Sequence, residues 1–441
     1  MATIKCGLGQ VYSTLASAFA ALANGDTLET YGPFSEDNKT LTTPATNNIT
    51  WRHYGGDYTL NGNGITAAAP LTFSGGTGWD VDCRDQNGSD GKLKITSYVG
   101  TRGVVFGAAN NTIRGIRITD HGAAGVASYL FYGTSVSNLT VSHIAIDAAV
   151  DPETQHWYGM WLGACTYNIS QVTVENLNHA VTNQRHYIVA FSGGSGSVTD
   201  LNITGVVAHR IYGLYLSTTS ATINRLKMDD WTCSERYWGV YGWNSTTCTL
   251  NNFLLFGCDG AGSNKGFEVD GALTQDINVN NCTLVGDGGA TTLAFGVFGG
   301  GGLPGTKELT VRNSIVTGTV PGGTGYYATN AASVNSDFNV GNDNATDYSL
   351  NWDQGVNDWS SVDPIYADAA TDNYRLTKNS PCVDTGIWIP GRKTDLDHQP
   401  MSGIGMDRGA YEFQQANTRD VRQEVEGTVS LPSRDERNLR R

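Results

Sequence analysis

The sequence predicts an all-β solenoid, a chain wound into stacked turns of short strands. Three observations predict it: a composition of strand and turn formers, a short apolar pattern that recurs along the chain, and a backbone-flexible residue at a fixed place in each recurrence. Among 441 residues there are 55 Gly but only 11 Pro and 5 Met, with 20 Tyr and 10 Trp. Charged residues make up 16%, against roughly 25% in ordinary globular domains. Such a chain is poor in charged helix surface and rich in Thr, Asn, Val and aromatics, which suit strands and tight turns. The length admits one large core or two or three ordinary domains.

The same totals exclude several function classes. A net charge of −14 disfavours nucleic acid, because binding phosphates takes clustered Lys and Arg. No apolar run approaches the roughly 20 residues of a membrane span. The N-terminus, MATIKCGLGQVYS, has no basic region followed by an apolar core, so no secretory signal is read. Eight cysteines show neither a CxxC pair nor zinc spacing, and buried reduced thiols are expected at Cys248, Cys258 and Cys282. No cofactor is expected.

The recurring pattern is apolar-x-apolar-x-x-apolar-x-apolar. It fits LTVSHIAI from Leu139, VTVENLNH from Val172, LNITGVVA from Leu201 and ATINRLKM from Ala221. It fits again at CTLNNFLL from Cys248, INVNNCTL from Ile277 and LTVRNSIV from Leu309, with a weaker copy at Asn111. The starts lie 28, 33, 29, 20, 27, 29 and 32 residues apart. The second residue of each two-residue break is Gly115, His143, Asn176, Gly205, Arg225, Asn252, Asn281 or Asn313. Gly and Asn take left-handed backbone angles most easily. One such residue lets a strand turn a corner and resume with its side chains again facing inward. A variable loop follows, then an aromatic-rich strand such as YGMWLG, HYIVAF, YGLYLS or WGVYGW. Stacked turns pair strands at about 4.8 Å and bury a continuous core. The open end of such a rod needs a cap. STLASAFAALANGDTLE places Leu15, Phe19 and Leu22 on one helical face, with Ser13 as N-cap and Gly25 as the stop.

These features resemble a right-handed parallel β-helix, the architecture of pectate lyases, other polysaccharide-degrading enzymes and phage tailspikes. GQVYSTLASAFAALANGDTLE is similar to the usual start of that fold, a cap helix followed by GDT and the first strand. A second resemblance covers residues 358–413. DPIYADAATDNYRLTKNSPCVDTG, TDLDHQP and MDRGAYEF resemble the C-terminal segment of bacterial and phage-borne β-helix surface proteins, which closes the helix there. Met401 stands where that family usually carries Arg, a departure that puts a family ion pair in doubt. Asp395, Asp397 and Asp407 could hold calcium, but without a twelve-residue loop spacing, turn caps are the preferred reading. The division expected is a cap over 1–35, the β-helix over 36–345, the closing segment over 346–413 and a charged arm or tail over 414–441. The arm holds six Arg and five acids, and RDVRQEVEGTVSLP resembles segments that trail phage structural proteins. It reads either as a solvated terminus or as an arm docking onto other virion proteins, the capsid among them, through bidentate Arg pairs.

Chemistry is expected on the loops between first and second strands, since insertions of a solenoid project from one side. They carry Asp147, Glu153, His156 and Trp157, then His179, Arg185 and His186, then His209 and Arg210. Later turns add Asp229, Asp230, Trp231, Glu235, Arg236 and Trp238, then Asp259 and Lys265. Stacked, these form a ridge suited to sugar rings, with Trp157, His186, His209, Arg210, Trp231, Arg236 and Trp238 as contacts. Glycoside hydrolysis needs two carboxyl groups roughly 5–9.5 Å apart. Asp229 or Asp230 with Glu235, or Glu235 with Asp270 across turns, are the candidates. The plainer alternative is that these groups serve only loop order and solubility. GGGGLPGTK lacks the phosphate-loop Gly-Lys order, and GLGQVY lacks the dinucleotide context. N-x-T/S sequons follow from Asn corners beside Thr-rich strands.

An extracellular type of fold, no export signal and a charged arm are reconciled by a phage virion protein, assembled in the host cytoplasm and released by lysis. The leading expectation is a β-helical spike or capsid-decorating protein that contacts surface polysaccharide, a homotrimer by analogy with β-helical spikes. The alternative is a polysaccharide-degrading enzyme, and the third reading is a bacterial surface adhesin.

Overall fold

In a computed structural model the chain is a right-handed parallel β-helix. The structure describes residues 1–414, except 38, 63–65, 68, 86–90, 120–127, 148–156, 180–183, 245–246, 271–274, 287–290, 298–306, 319–322, 329–332 and 350; the arm beyond 414 lies outside the described residues. Among the described residues, strands stack in parallel register into one 27-stranded sheet that winds around the rod. Among the described residues no helix is long and apolar enough to cross a membrane. All eight cysteines are buried and none forms a disulfide.

The register confirms the repeat and corrects two of its copies. Leu139, Tyr167, Gly196, Ala221, Cys248, Ile277, Leu309 and Val334 occupy one stacked position. Successive turns are therefore 28, 29, 25, 27, 29, 32 and 25 residues long. The copies read at Val172 and Leu201 sit one side further round, which is why their spacing swung from 33 to 20. The true corner residues there are Gln171 and Asp200. One corner row runs Gly115, His143, Gln171, Asp200, Arg225, Asn252, Asn281 and Asn313, all with φ between 52° and 82°. Asn176 and Gly205 belong to a second left-handed row, continued by Asp230 and Gly257.

On either side of the first row, inward positions stack into apolar columns. Val141, Ile169, Val198, Ile223, Leu250, Val279 and Val311 form one, all essentially without solvent contact. Each such side chain contributes roughly 1.5–3 kcal/mol by burial. The cap helix is Leu15–Ala21, whose N-cap is Thr14, not Ser13: its Oγ1 accepts from Ser17 N at 3.2 Å. The helix also has the Glu36 carboxylate at its start, accepting from Leu15 N at 2.5 Å. Phe19 seals the first turns with its ring edge-on to Trp51 and Trp79 at 5.7 and 5.9 Å.

The closing segment is tied to the first corner row. Asn252 Nδ2 donates to Thr394 O at 2.9 Å, and Asn281 Nδ2 to Asp407 O at 2.8 Å. Asn313 does both, donating to Ile387 O at 2.7 Å and accepting from Ile387 N at 2.8 Å. Arg392 donates to Asn252 and Asn281 from the same segment. Asp395 accepts from the backbone of Asp397, Gln399 and Glu412, and Asp407 from that of Asp384 and Phe413, so both hold turns. Asp397 instead pairs with Arg375 at 2.5 Å.

Two outcomes follow from this docking. Asn313→Ala would lose both hydrogen bonds to Ile387 and the longer one to Asn281, and strain the corner, together about 2–4 kcal/mol. Asn313→Gly, which keeps the left-handed angle, would lose less; equal melting-point losses would show that the angle is irrelevant. The second concerns acidity. Burial pushes Asp407 up to about 6 and Glu412 up to about 7, although each accepts backbone hydrogen bonds. Their folded values lie above the ordinary range of about 4, so folding takes up protons between the two. The stabilisation is therefore complete at low pH and lost as pH rises through about 6 and 7. Limited proteolysis of the closing segment should be slower at pH 5 than at pH 8, and Glu412→Gln should narrow the gap.

Candidate carbohydrate-binding face

The expected ridge of loop residues separates into three groups. Glu153 and His156 lie outside the described residues, as does the side chain of His179. Trp157, His186 and Trp231 point into the rod and are 4%, 1% and 1% exposed. Trp157 and His186 are in register at one inward position. Trp231 packs edge-on against Tyr237, and its Nε1 donates to Ile203 O at 3.3 Å. These three are core residues, which corrects their reading as sugar contacts: alternation along the strand gives them inward parity. Asp147 pairs with Arg117 at 2.7 Å, and Asp229 with Lys227 at 3.1 Å. Asp230 is an exposed corner residue with φ of 56°.

The third group surrounds Glu235. His209 Nε2 lies 2.8 Å from its carboxylate, Arg210 Nε 2.5 Å and Arg236 Nη2 2.9 Å. Partial burial opposes ionisation, but the Arg210 hydrogen bond and the Arg210 and Arg236 charges outweigh it and hold the carboxyl below its ordinary range. A carboxylate clamped this way is poorly suited to donate or accept a proton near neutrality. It is not paired with Asp270 either, a second correction. Asp270 is in register with Trp243, eight residues beyond Glu235. The five from Trp238 to Trp243 alone span about 16 Å at a strand's rise per residue, beyond the separation hydrolysis uses.

The outer surface of the aromatic-rich strands carries what the sequence reading missed. Tyr129, Tyr158, Tyr187, Tyr212 and Trp238 stack face to face over five turns, with centroids 4.7, 4.8, 4.7 and 4.4 Å apart and planes within 17°. Beside them Tyr132 stacks on Trp161 at 5.1 Å and Tyr215 on Tyr241 at 5.8 Å. The signal was present as an aromatic pair three residues apart: Tyr158 and Trp161, Tyr212 and Tyr215, Trp238 and Tyr241. A glycine follows the first ring in each pair. At Gly159, Gly213 and Gly239 a Cβ would collide with the neighbouring turn's backbone, so the close approach requires glycine.

Cations border this stripe. The Arg102 guanidinium lies 4.0 Å from the Tyr132 ring, Arg236 5.2 Å and Lys265 6.0 Å from that of Trp238. A hydrogen bond with Tyr187 keeps Arg185 even more firmly charged than usual. Burial raises the Tyr212 phenol to about 12 and those of Tyr158 and Tyr241 further, so all remain neutral hydroxyls at any physiological pH. The stripe ends at Glu268, 3% exposed, which accepts from Lys265 Nζ at 2.7 Å and from Trp238 Nε1. Burial raises its carboxyl above the ordinary value despite those partners. Two residues on, Asp270 accepts from Tyr241 OH at 3.3 Å.

No family model matches this sequence, and neither does any curated protein. Among solved structures the chain is similar to the crystal structure of pectate lyase Pel9A, at 14% identity with a TM-score of 0.46, covering 94% of this chain and 97% of that one.

The division between core and surface tryptophans is testable by melting. Trp231→Ala should cost about 3–5 kcal/mol, as expected for an emptied core site. Trp161→Ala, on the outer stripe, should cost markedly less; similar losses would place both rings in the core.

Proposed function

We propose that the protein is a glycan-binding β-helical rod that holds an extended polysaccharide along its aromatic stripe. The observation that carries this reading is the in-register column from Tyr129 to Trp238. Stacking occupies the ring faces and leaves Tyr187, Tyr212 and Trp238 only 7–9% exposed, so the edges open to a ligand are those of half-buried Tyr129 and Tyr158 and of the adjoining Tyr132, Trp161, Tyr215 and Tyr241. Apolar edges alternating with hydroxyls suit a chain of sugar rings, whose own surface alternates between C–H groups and hydroxyls. Trp238, His209, Arg210 and Arg236, expected from the sequence as sugar contacts, are kept in this reading as proposed contacts.

A cleaving version of the same site has a specific basis. Glu268 and Asp270 lie two residues apart on one outer face, about 6.6 Å along the strand, within the separation glycoside hydrolysis uses. Glu268, with its raised value, would be the acid. Its burial by Lys265 and Trp238 favours binding as the first reading. A virion spike or capsid decoration, trimeric, is the setting proposed for either activity; purified particles would contain the chain at a fixed ratio to the major capsid protein.

Affinity electrophoresis against a panel of bacterial surface polysaccharides tests the main reading. The double variant Tyr212→Ala, Tyr215→Ala should lower retardation at least tenfold while keeping the wild-type circular dichroism. Unchanged retardation by a bound glycan would remove the stripe from the proposal. New reducing ends that vanish in Glu268→Gln would shift the reading to a hydrolase.

A further inference from the structure

A groove of about 910 Å3 opens on another face, between the rod and the edge of the closing segment. Its floor is the in-register column Arg117, Ala145, Thr173, Asn202 and Lys227. The closing segment covers the corner row from Asn313 back to Arg225 and stops where His398 Nε2 meets Asp200 at 3.1 Å. The groove begins there, and the next corner residues, Gln171 and His143, line it uncovered. It thus continues a surface that already holds an irregular stretch of polypeptide.

The polar groups of the groove state what it would take. Its cations are committed: Arg117 to Asp147, Lys227 to Asp229, Arg225 to Asp200 and Arg375 to Asp397. Glu175 and Asp372 line it with no ion pair among the described residues, and the buried Asn202 Oδ1 accepts no hydrogen bond. Among the described residues Asp372 accepts only the Tyr374 hydroxyl at 3.3 Å, so these three groups can still take a donor. The aromatic faces are taken, Tyr411 by the Arg375 guanidinium at 4.9 Å and Phe256 by Lys227 at 5.2 Å, which disfavours a stacked sugar. A guanidinium, with five donors and no acceptor, is the complementary group. On the neighbouring turns Arg392 already plays that part toward Asn252 and Asn281.

The described chain stops at Gln414, three residues beyond the groove residue Tyr411. The sequence then runs on with six arginines and no lysine. Arg419 and Arg422 are within about 30 Å of contour from Gln414, ample to reach the groove. We propose that this groove is the docking site of the chain's own residues 415–441, whose arginines pair with Glu175 and Asp372 and supply the donor for Asn202. Docking in this way assigns the segment to the rod itself and not to attachment on a partner. It is independent of the glycan reading, which concerns a different face.

The test uses the full chain with photo-reactive p-benzoylphenylalanine in place of Val421, prepared as a mixture of isotope-light and isotope-heavy molecules. Cross-links within one isotope form to residues 171–175, 200–202 or 396–398 are expected, with at least a fivefold lower yield in Glu175→Lys. Cross-links between isotope forms, cross-links to other faces, or an unchanged yield in Glu175→Lys would overturn the proposal. Should Glu175→Lys fail to fold, Arg419→Gln with Arg422→Gln leaves the rod intact, and there an unchanged yield would overturn it equally.

Discussion

Each turn of this rod closes through corners at which one residue takes left-handed backbone angles, and the rest of the structure depends on where that residue stands. With φ between 52° and 82° along the first row, the chain turns within two residues and the next strand resumes with its apolar parity facing inward. Columns such as Val141 to Val311 follow from repeating that step at strand spacing. Gly115 takes the angle without strain and Asn252, Asn281 and Asn313 at little cost. Asp200 is eased like Asn, whereas His143, Gln171 and Arg225 each stand against roughly 1–2 kcal/mol. The buried side chains on both flanks outweigh it.

The corner residues then do a second thing, because a side chain at a corner points away from the core. Where the row is asparagine, its amides donate and accept at once, and the closing segment lies along them. Asp200 and Arg225 mark its edge through ion pairs and a contact with Thr394. Identity at the corner, indifferent to the fold so long as the angle is met, therefore decides what covers each turn. The cap helix solves the same exposed-edge problem at the other end by apolar packing of Phe19 and Leu15 instead.

Much of this was legible in the sequence, and the parts that were not share a cause. The recurrence, its left-handed residue and the cap helix are local signals, and all eight residues singled out at the breaks do have positive φ. Two were assigned to the wrong row because both corners obey the same rule, an apolar alternation, a left-handed residue and another alternation. Only the register separates Gln171 from Asn176 and Asp200 from Gly205. The same ambiguity misplaced Trp157, His186 and Trp231: inward and outward parity restarts after every corner, and loops of unequal length hide where. Glu235 looked like a free acid because, Arg236 apart, its clamp is non-local. Arg210 and His209 come from the previous turn, beside a register shift between Ala208 and Arg210.

Stacking also decides what kind of ligand such a surface suits. A side chain repeated at one position of successive turns becomes a row whose spacing is set by the strands, and a row of flat rings saturates its own faces. Only Tyr129 at one end and Trp238 at the other have a face not sandwiched between rings of the column, and Trp238 is already beneath Arg236 and Lys265. Recognition of a single sugar by an open aromatic platform is thereby disfavoured. What the stripe offers is a line of partly exposed ring edges parallel to the rod axis, bordered by fixed cations. A long ligand lying along that axis would meet the same chemistry at every turn, whereas a short one would meet only a fraction of it. The architecture thus favours chain length over the identity of any one ring, the converse of a pocket.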